Sequence, residues 1–366
     1  MTTQVCFVVN TVSETSVPSD IAAAVAEHTD VSVDVMAWFG SSGFHGSEHV
    51  GVIDLDGRTP DADGGLGTYR RVRETLGRYD IVQAHHNHSG SIAKVLARLS
   101  GVSVVSREGN MRRGFGRVGR VANGLTNPLA DRVVCNSRAV YESFRRWENA
   151  LLSDDKVVFI PNGVDFDRLD SADGLSWRPT DDVAVEDGAV VVGTAGLLTE
   201  QKDHETLVRG VAAARRRSDR PVELLIAGDG PLRSELEAVA DSCGVRDAVH
   251  FLGRLDRSEV YAMLADIDVY AMPSRWEGFS AAAVEAVGSG TPCVFSDIPP
   301  FEQPYADVAR FHPVGDHERL GEHLADLAAD PDRDRLGERG RQLVEENYTL
   351  ERVARQYRDL YAEIVD

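Results

Sequence analysis

Short β-rich runs and helical patterns alternate along this chain in two series, and a polar stretch separates the two. The runs of the first series are residues 5–9, 31–37, 81–83, 102–105, 132–135 and 157–160, with helical patterns such as residues 92–99 between them. Such alternation predicts a parallel sheet with helices on both faces. Residues 165–188 are polar and acidic, carry Pro179 and hold no sustained period, which reads as a linker. The alternation restarts with residues 190–193, 222–228, 249–252 and 268–272. The expected fold is therefore α/β, with two doubly wound Rossmann-like domains facing a central cleft. Residues 1–165 form the first, 166–188 the linker and 189–348 the second. Residues 349–366 form a closing helix with Leu350, Val353, Ala354, Tyr357, Leu360, Tyr361 and Ile364 at helical spacing, capped by Thr349. Ligands of such sheets bind beyond the carboxyl ends of the strands, so the cleft is the expected site.

The balance of charges removes several alternatives. A formal net charge of −20 argues against general nucleic-acid binding, which needs a basic face. Lys94, Lys156 and Lys202 are the only lysines among 39 cationic residues, so the chain fits either a high-salt cytoplasm or an arginine-biased genome. Met1 leads straight into a strand-like run without a basic segment, and no apolar run approaches the ~20 residues that span a bilayer. A cytoplasmic protein, with any membrane contact peripheral at the inner face, is expected. Cys6, Cys135, Cys243 and Cys293 are far apart and read as small apolar residues in a reducing compartment. Asp pairs at 54/56, 61/63, 266/268 and 332/334 are chance strings in so acidic a chain, and no metal site is expected.

Chemistry concentrates where strands end. Pro273-Ser274-Arg275-Trp276-Glu277-Gly278-Phe279-Ser280 follows a buried-strand pattern and precedes a helix containing Glu285. Gly278 admits a close backbone approach, and Ser280 is the expected N-cap. The amides beyond that cap face an anion at the positive helix end. Two carboxylates flanking such an end suit a ligand with a diphosphate in its middle and diols at both ends, as in a nucleotide-sugar. The plain alternative, two solvated glutamates, does not explain the ordered strand, glycine, cap and carboxylates.

Gly196-Leu197-Leu198-Thr199-Glu200-Gln201-Lys202 places an ammonium at the start of a helix, an electrostatically poor position unless an anion is bound there. Gly228-Asp229-Gly230-Pro231 ends the next strand, with Pro231 expected to open a helix, and Gly253-Arg254 ends a further one on the same rim. In the first half, His85, His86 and His88 cluster past a strand end, and His85 is expected to contact substrate. Ser106-Arg107-Glu108-Gly109-Asn110 ends another strand, and Asn136 follows a third. Residues 111–120, with Arg112, Arg113, Arg117 and Arg120, are locally basic and glycine-rich. They fit an acceptor loop, a phosphate site, a membrane-headgroup contact or a plain surface loop.

Together these residues resemble the retaining family 4 glycosyltransferases (glycosyl transferases group 1), which have the two-domain GT-B fold. The resemblance covers nearly the whole chain. Glu277 and Glu285 match the family's EX7E motif, residues 196–202 its GRLxxxK segment and Ile160-Pro161-Asn162-Gly163-Val164-Asp165 its IPNGVD linker. It implies that Lys202 holds a donor diphosphate and Glu285 the ribose hydroxyls. Glu277 and the amides of Phe279 and Ser280 would meet the sugar and β-phosphate, with Gly196, Gly230, Arg254 and Gly278 completing the donor site. The catalytic set would be Glu277, Glu108 and His85. Asn110, Arg112, Arg113 and Asn136 would lie on the acceptor side. The implied reaction moves a sugar to a hydroxyl of a glycan, polysaccharide or lipid-linked acceptor with retention, by orientation and charge stabilisation, without metal or other cofactor. The closing helix would cross back onto the first domain.

Three departures stand out. Leu197 replaces an Arg, Glu108 stands where many members have His, and Thr11-Val12-Ser13-Glu14-Thr15-Ser16 replaces a glycine pair. A nucleotide-sugar-binding partner subunit with weakened catalysis, or a GT-B-like epimerase or phosphorylase, are the alternatives. A dinucleotide oxidoreductase is disfavoured because no GxGxxG opens the first helix.

Overall fold

A computed structural model describes residues 2–13, 16–42, 49–55, 66–85, 88–172 and 185–365. The chain divides into two units, residues 1–163 with 350–366, and residues 164–349.

The main sheet of the first unit has the strands β1 (Gln4–Val9), β2 (Ser32–Ala37), β3 (Val50–Asp54), β4 (Ile81–His85), β5 (Ser103–Glu108), β6 (Arg132–Cys135) and β7 (Val157–Phe159). They form one sheet in the order β3-β2-β1-β4-β5-β6-β7, parallel throughout. Strand parity divides the core. Val5, Phe7 and Val9 face one helical layer, whereas Cys6 and Val8 join Met36, Val82, Ala93 and Ala97 on the other. The first layer contains α1 (Val17–His28), capped by Ser16, and the C-terminal helix Leu350–Val365 packed against it. That C-terminal helix buries Leu350, Val353, Ala354, Tyr357, Leu360 and Tyr361, six of the seven residues its spacing placed on one face, and half-buries the seventh, Ile364. Tyr361 donates its hydroxyl to Gln83 Oε1 at 2.6 Å, which ties the helix to β4.

The second unit repeats the plan. Its strands are β8 (Val190–Ala195), β9 (Val222–Ala227), β10 (Val249–Gly253), β11 (Val269–Met272), β12 (Cys293–Ser296) and β13 (Ala309–His312). They lie in the parallel order β10-β9-β8-β11-β12-β13. Val192, Leu224, Ile226 and Ala271 face Leu207, Val208 and Val211. On the other side Leu225, Tyr270, Met272 and Phe295 face Tyr261, Val284 and Val287. In both sheets the order reverses beside the first strand, so the carboxyl ends there open a crevice within each unit.

Three features differ from the sequence expectation. β3, β12 and β13 are additional strands. Gly51 pairs β3 with β2 so closely that a Cβ there would stand 2.3 Å from Asp34 Oδ1. Pro231 does not open a helix: the helix begins two residues later, at Arg233. Of the expected linker, Phe166–Asp170 form a helix of the second unit, capped by Asp165, while residues 173–184 lie outside the described residues.

Candidate functional site

The second unit gathers most of the donor-side residues at the carboxyl ends of β8, β9 and β11. After β8 the chain turns at Gly196 and runs through Leu198 to Lys202, where α2 (His204–Arg215) begins. Asp203 precedes that helix in the left-handed region, at φ 50°, and accepts from the Thr206 hydroxyl at 2.9 Å. The turn after β9 lies directly against this segment. A Cβ on Gly228 would stand 1.9 Å from the Gly196 carbonyl oxygen, and one on Gly230 2.6 Å from that of Leu198. Leu198 N donates to Asp229 O at 3.1 Å, and Leu232 N donates to Leu198 O at 3.2 Å. Gly230 therefore serves loop-to-loop contact, which any side chain would block.

Glu277 lies between β11 and α3 (Ala281–Gly288). Its carboxylate accepts from Lys202 Nζ at 2.7 Å, Ser274 Oγ at 2.9 Å and Gln201 Nε2 at 3.2 Å. Arg275 pairs with Asp203 at 3.1 Å, and its backbone N–H donates to Gln201 O at 2.8 Å. The two loops are thus joined around a charged pair that is only partly covered: the Lys202 side chain stays 17% exposed. Ser280 caps α3, accepting from Ala283 N at 3.3 Å. Gly278 is buried in the approach to that helix, and the Phe279 ring packs 5.7 Å from that of Tyr348.

Glu285, one turn inside α3, accepts from Arg257 Nη2 at 2.9 Å and from the Tyr261 hydroxyl at 3.0 Å. Arg257 and Tyr261 lie on the helix Arg257–Asp266, whose start is fixed by the Asp256/Glu259 capping box. Sequence reasoning missed both, because their partner is far away along the chain. Only the capping-box spacing would have placed Arg257 at a helix start beside the rim. Arg254 is exposed just after Gly253, and Leu197 is also exposed, at 67%. His204, likewise missed, is buried at the start of α2. Burial, aided by the Lys202 charge, pulls its pKa down to about 4, so its ring is neutral at pH 7.

The first unit treats its candidates differently. Glu108, expected in a catalytic role, is buried. It accepts from Arg112 Nη1 at 2.8 Å, from Asn123 Nδ2 at 2.9 Å and from Ser106 Oγ at 3.2 Å. Arg112, expected on the acceptor side, is buried too. Its Nε donates to Glu148 at 2.8 Å, and its guanidinium stacks 3.9 Å from the Phe144 ring centroid. Lys94 completes the cluster, donating to Asn127 at 2.6 Å, Asn123 at 2.7 Å and Ser106 at 3.2 Å. Burial alone would raise the Glu108 pKa, but Arg112, Lys94 and the hydrogen bonds outweigh it and hold it at about 2. Burial lowers Lys94 to about 8. Glu108 and Arg112 are thus paired with each other inside the unit, because a charge at a buried strand end needs an internal counter-ion.

His85 is also buried, with Nε2 at 3.0 Å from Gln83 Nε2 and its ring 5.0 Å from that of Phe7. His88 is exposed, and His86 lies outside the described residues. Asn136 is buried and donates to Gly109 O at 3.1 Å, whereas Asn110 and Arg113 are exposed. Among the described residues no group of three or more His, Cys, Asp or Glu side chains is placed to hold a metal ion.

Comparison with known proteins bears on both units. The family model for glycosyl transferases group 1 matches residues 180–343, and that for glycosyltransferase family 4 matches residues 20–168. EpsF of Bacillus subtilis (strain 168) is 28% identical over 247 residues, covering 62% of this chain and 61% of that protein. A phosphatidyl-myo-inositol mannosyltransferase of Mycobacterium leprae (strain TN) is 28% identical over 265 residues, covering 71% and 67%. The chain thus spans about six tenths to two thirds of these relatives. Among solved structures, Anabaena Alr3699/HepE in complex with UDP and glucose superposes with a TM-score of 0.81 at 17% identity, covering 99% of this chain and 100% of that one.

Proposed function

The chain belongs to the group 1, family 4 glycosyltransferases of GT-B fold, and from that premise we propose that it moves a sugar from a nucleoside diphosphate donor to a hydroxyl acceptor. The acceptor is a glycan, polysaccharide or lipid-linked saccharide. Transfer proceeds with retention of the anomeric configuration, and neither metal nor other cofactor takes part. Residues 189–348 act as the donor domain and residues 1–165 as the acceptor-side domain.

One observation carries this reading: Lys202, Glu277 and Glu285 are arranged around the capped start of one helix. Lys202, released from Glu277, meets the diphosphate, assisted by the amides beyond Ser280. Glu285, held by Arg257 and Tyr261, receives the ribose hydroxyls. Glu277, steadied by Ser274 and Gln201, faces the sugar. These groups stabilise charge on the leaving phosphate and orient the reactants, and in the retaining scheme the leaving phosphate takes the acceptor proton. The UDP in the HepE structure makes UDP-sugars the first donors to try.

No helix of the described residues is long and apolar enough to cross a membrane. The proposed setting is cytoplasmic, with the acidic composition suited to high salt. The exposed Leu197, where the family has Arg, supports a second reading in which the chain binds donor weakly and serves a catalytic partner.

Calorimetric titration with a panel of nucleoside diphosphate sugars, on the wild type and Glu285→Ala, tests the reading. Selective binding of one donor, lost in the variant, is the expected result. Donor binding without transfer to any of a broad acceptor panel would favour the second reading. Absence of binding by a folded protein would remove both.

A further inference from the structure

In the first unit a chain of buried hydrogen bonds runs from the C-terminal helix to the end of β4. Tyr361 Oη lies 2.6 Å from Gln83 Oε1, and Gln83 Nε2 lies 3.0 Å from His85 Nε2. All three side chains are buried. The first distance decides which way the Gln83 amide points. It suits an O–H···O bond, whereas N–H···O bonds are ~2.7–3.2 Å long. A reversed amide would need an N–H···O bond of that short length to Tyr361. Burial holds the Tyr361 hydroxyl well above its ordinary pKa, so it keeps the proton it donates. Gln83 therefore accepts with Oε1 and has only an N–H left for His85. An amide nitrogen offers no lone pair, so His85 Nε2 is the acceptor.

The consequence falls on the other ring nitrogen. A neutral imidazole whose Nε2 accepts carries its proton on Nδ1. Charging the ring would set an N–H on Nε2 against the N–H of Gln83. It would also add a cation beside Arg107, the register partner of His85 on β5. Arg107 is buried and donates to Tyr357 Oη at 3.0 Å and to Asn162 Oδ1, both neutral groups. Among the described residues no carboxylate pairs with it, so one buried positive charge already stands there without a counter-ion. Gln83 shares its face of β4 with His85, two positions away, and its residue type carries no signal of this role.

We propose that Gln83 is a positioning residue that holds His85 neutral and protonated on Nδ1, so that His85 meets a ligand as a hydrogen-bond donor and not as a base. Tyr361 fixes the Gln83 amide and so makes the C-terminal helix part of this device. The use of His85 rests on the transfer reaction proposed above. There the ring donates from Nδ1 to an oxygen of the bound sugar or acceptor and takes no proton. Proton acceptance stays with the leaving phosphate.

Long-range nitrogen–proton NMR spectra of the full chain with isotope-labelled histidine test the proposal. The signals of His85 are assigned by their absence in His85→Asn. At neutral pH His85 should show a protonated Nδ1 and a bare Nε2. In Gln83→Glu the carboxylate can only accept, so a proton should appear on Nε2. Circular dichroism establishes that the variants remain folded. A wild-type ring protonated on Nε2 overturns the proposal whatever the variant does, as does a bare Nε2 in folded Gln83→Glu. Transfer assays read the donor role separately. His85→Ala should lower kcat about a hundredfold, as for one donor lost from a site of developing charge. His85→Asn keeps an N–H near the place of Nδ1 and should recover about tenfold of that loss. Equal losses in the two folded variants would overturn the donor role. If the protein transfers no sugar, the transfer reading fails, and the ring spectra still decide whether Gln83 fixes His85.

Discussion

Glu108 ends β5 and Glu277 lies in the loop after β11, and each has a cation within 2.8 Å. Their settings are nevertheless opposite. Glu108 is enclosed with Arg112, Lys94, Asn123 and Glu148, which bond to one another within the unit. Glu277 shares Lys202 with a partly open rim, on loops that contribute Gln201, Ser274 and a capped helix start. A closed ionic cluster shapes a fold, because moving any member strands another charge in low dielectric. An open one can exchange its internal partner for a ligand at small cost. The contrast separates scaffold from site, and it can be broken by experiment.

The largest effect should come from the closed cluster. Arg112→Ala leaves Glu108 and Glu148 without their shared cation and should destabilise the first unit by about 3–5 kcal/mol. Urea denaturation followed by hydrogen exchange would locate the loss in β5 and its neighbours. A loss below about 1 kcal/mol would mean that water reaches the cluster, and the distinction between the two regions would fall.

Acid should then separate the units by order of failure. Between pH 6.5 and about 4 the unfolded chain protonates His204 while the folded chain does not. The unfolded state binds more protons there, so stability falls as pH falls, by about 3 kcal/mol at most. Glu108 has its folded pKa lowered to about 2, so its contribution persists above 4.5 and is lost only between 4.5 and about 2. The second unit should therefore loosen first on acidification. Hydrogen exchange across a pH series would show protection lost around α2 before β5, and His204→Gln should remove the earlier phase. Simultaneous loss in both units would refute the ordering.

The open cluster should respond in binding instead. Lys202→Ala should weaken donor affinity by about 1.5–3 kcal/mol, the range for a charge-assisted hydrogen bond, with little change in stability. Titration and thermal melting on the same variant decide the matter. A large stability loss with unchanged affinity would make the Lys202–Glu277 pair a structural one.

Much of this is legible in the sequence, for reasons that differ by residue. Strand parity and helical spacing are local, so the two α/β units and the buried face of the C-terminal helix can be read directly. The Ser280 cap and the Glu277–Glu285 spacing are local as well. β12 and β13 escape that reading, as does β3, whose Gly51 and exposed positions dilute the apolar pattern. Arg257, Tyr261 and Gln201 act on residues 24 to 76 positions away, and no short pattern reports such pairings. Glu108 and Arg112 carry the residue types of a site. Only burial distinguishes an ion pair that faces a ligand from one that faces its own core, and burial of a polar side chain has no periodic signature.

The smallest expected effect tests the one cation missing from the open cluster. Leu197 is exposed at the turn between Gly196 and Leu198, where an apolar side chain gains little from its surroundings. Leu197→Arg should therefore be nearly neutral in stability, within about 0.5 kcal/mol, as for other surface changes. If Lys202 alone carries the diphosphate, a second guanidinium at that turn should strengthen donor binding by about 1 kcal/mol, or roughly fivefold. Titration of the same donor into wild type, Leu197→Arg and the double variant with Lys202→Ala reads the coupling. A gain from Leu197→Arg that vanishes without Lys202 means the two cations share one phosphate group. A gain that persists means they act on separate groups, and no gain means that Arg275 or Arg257 already supplies the second charge.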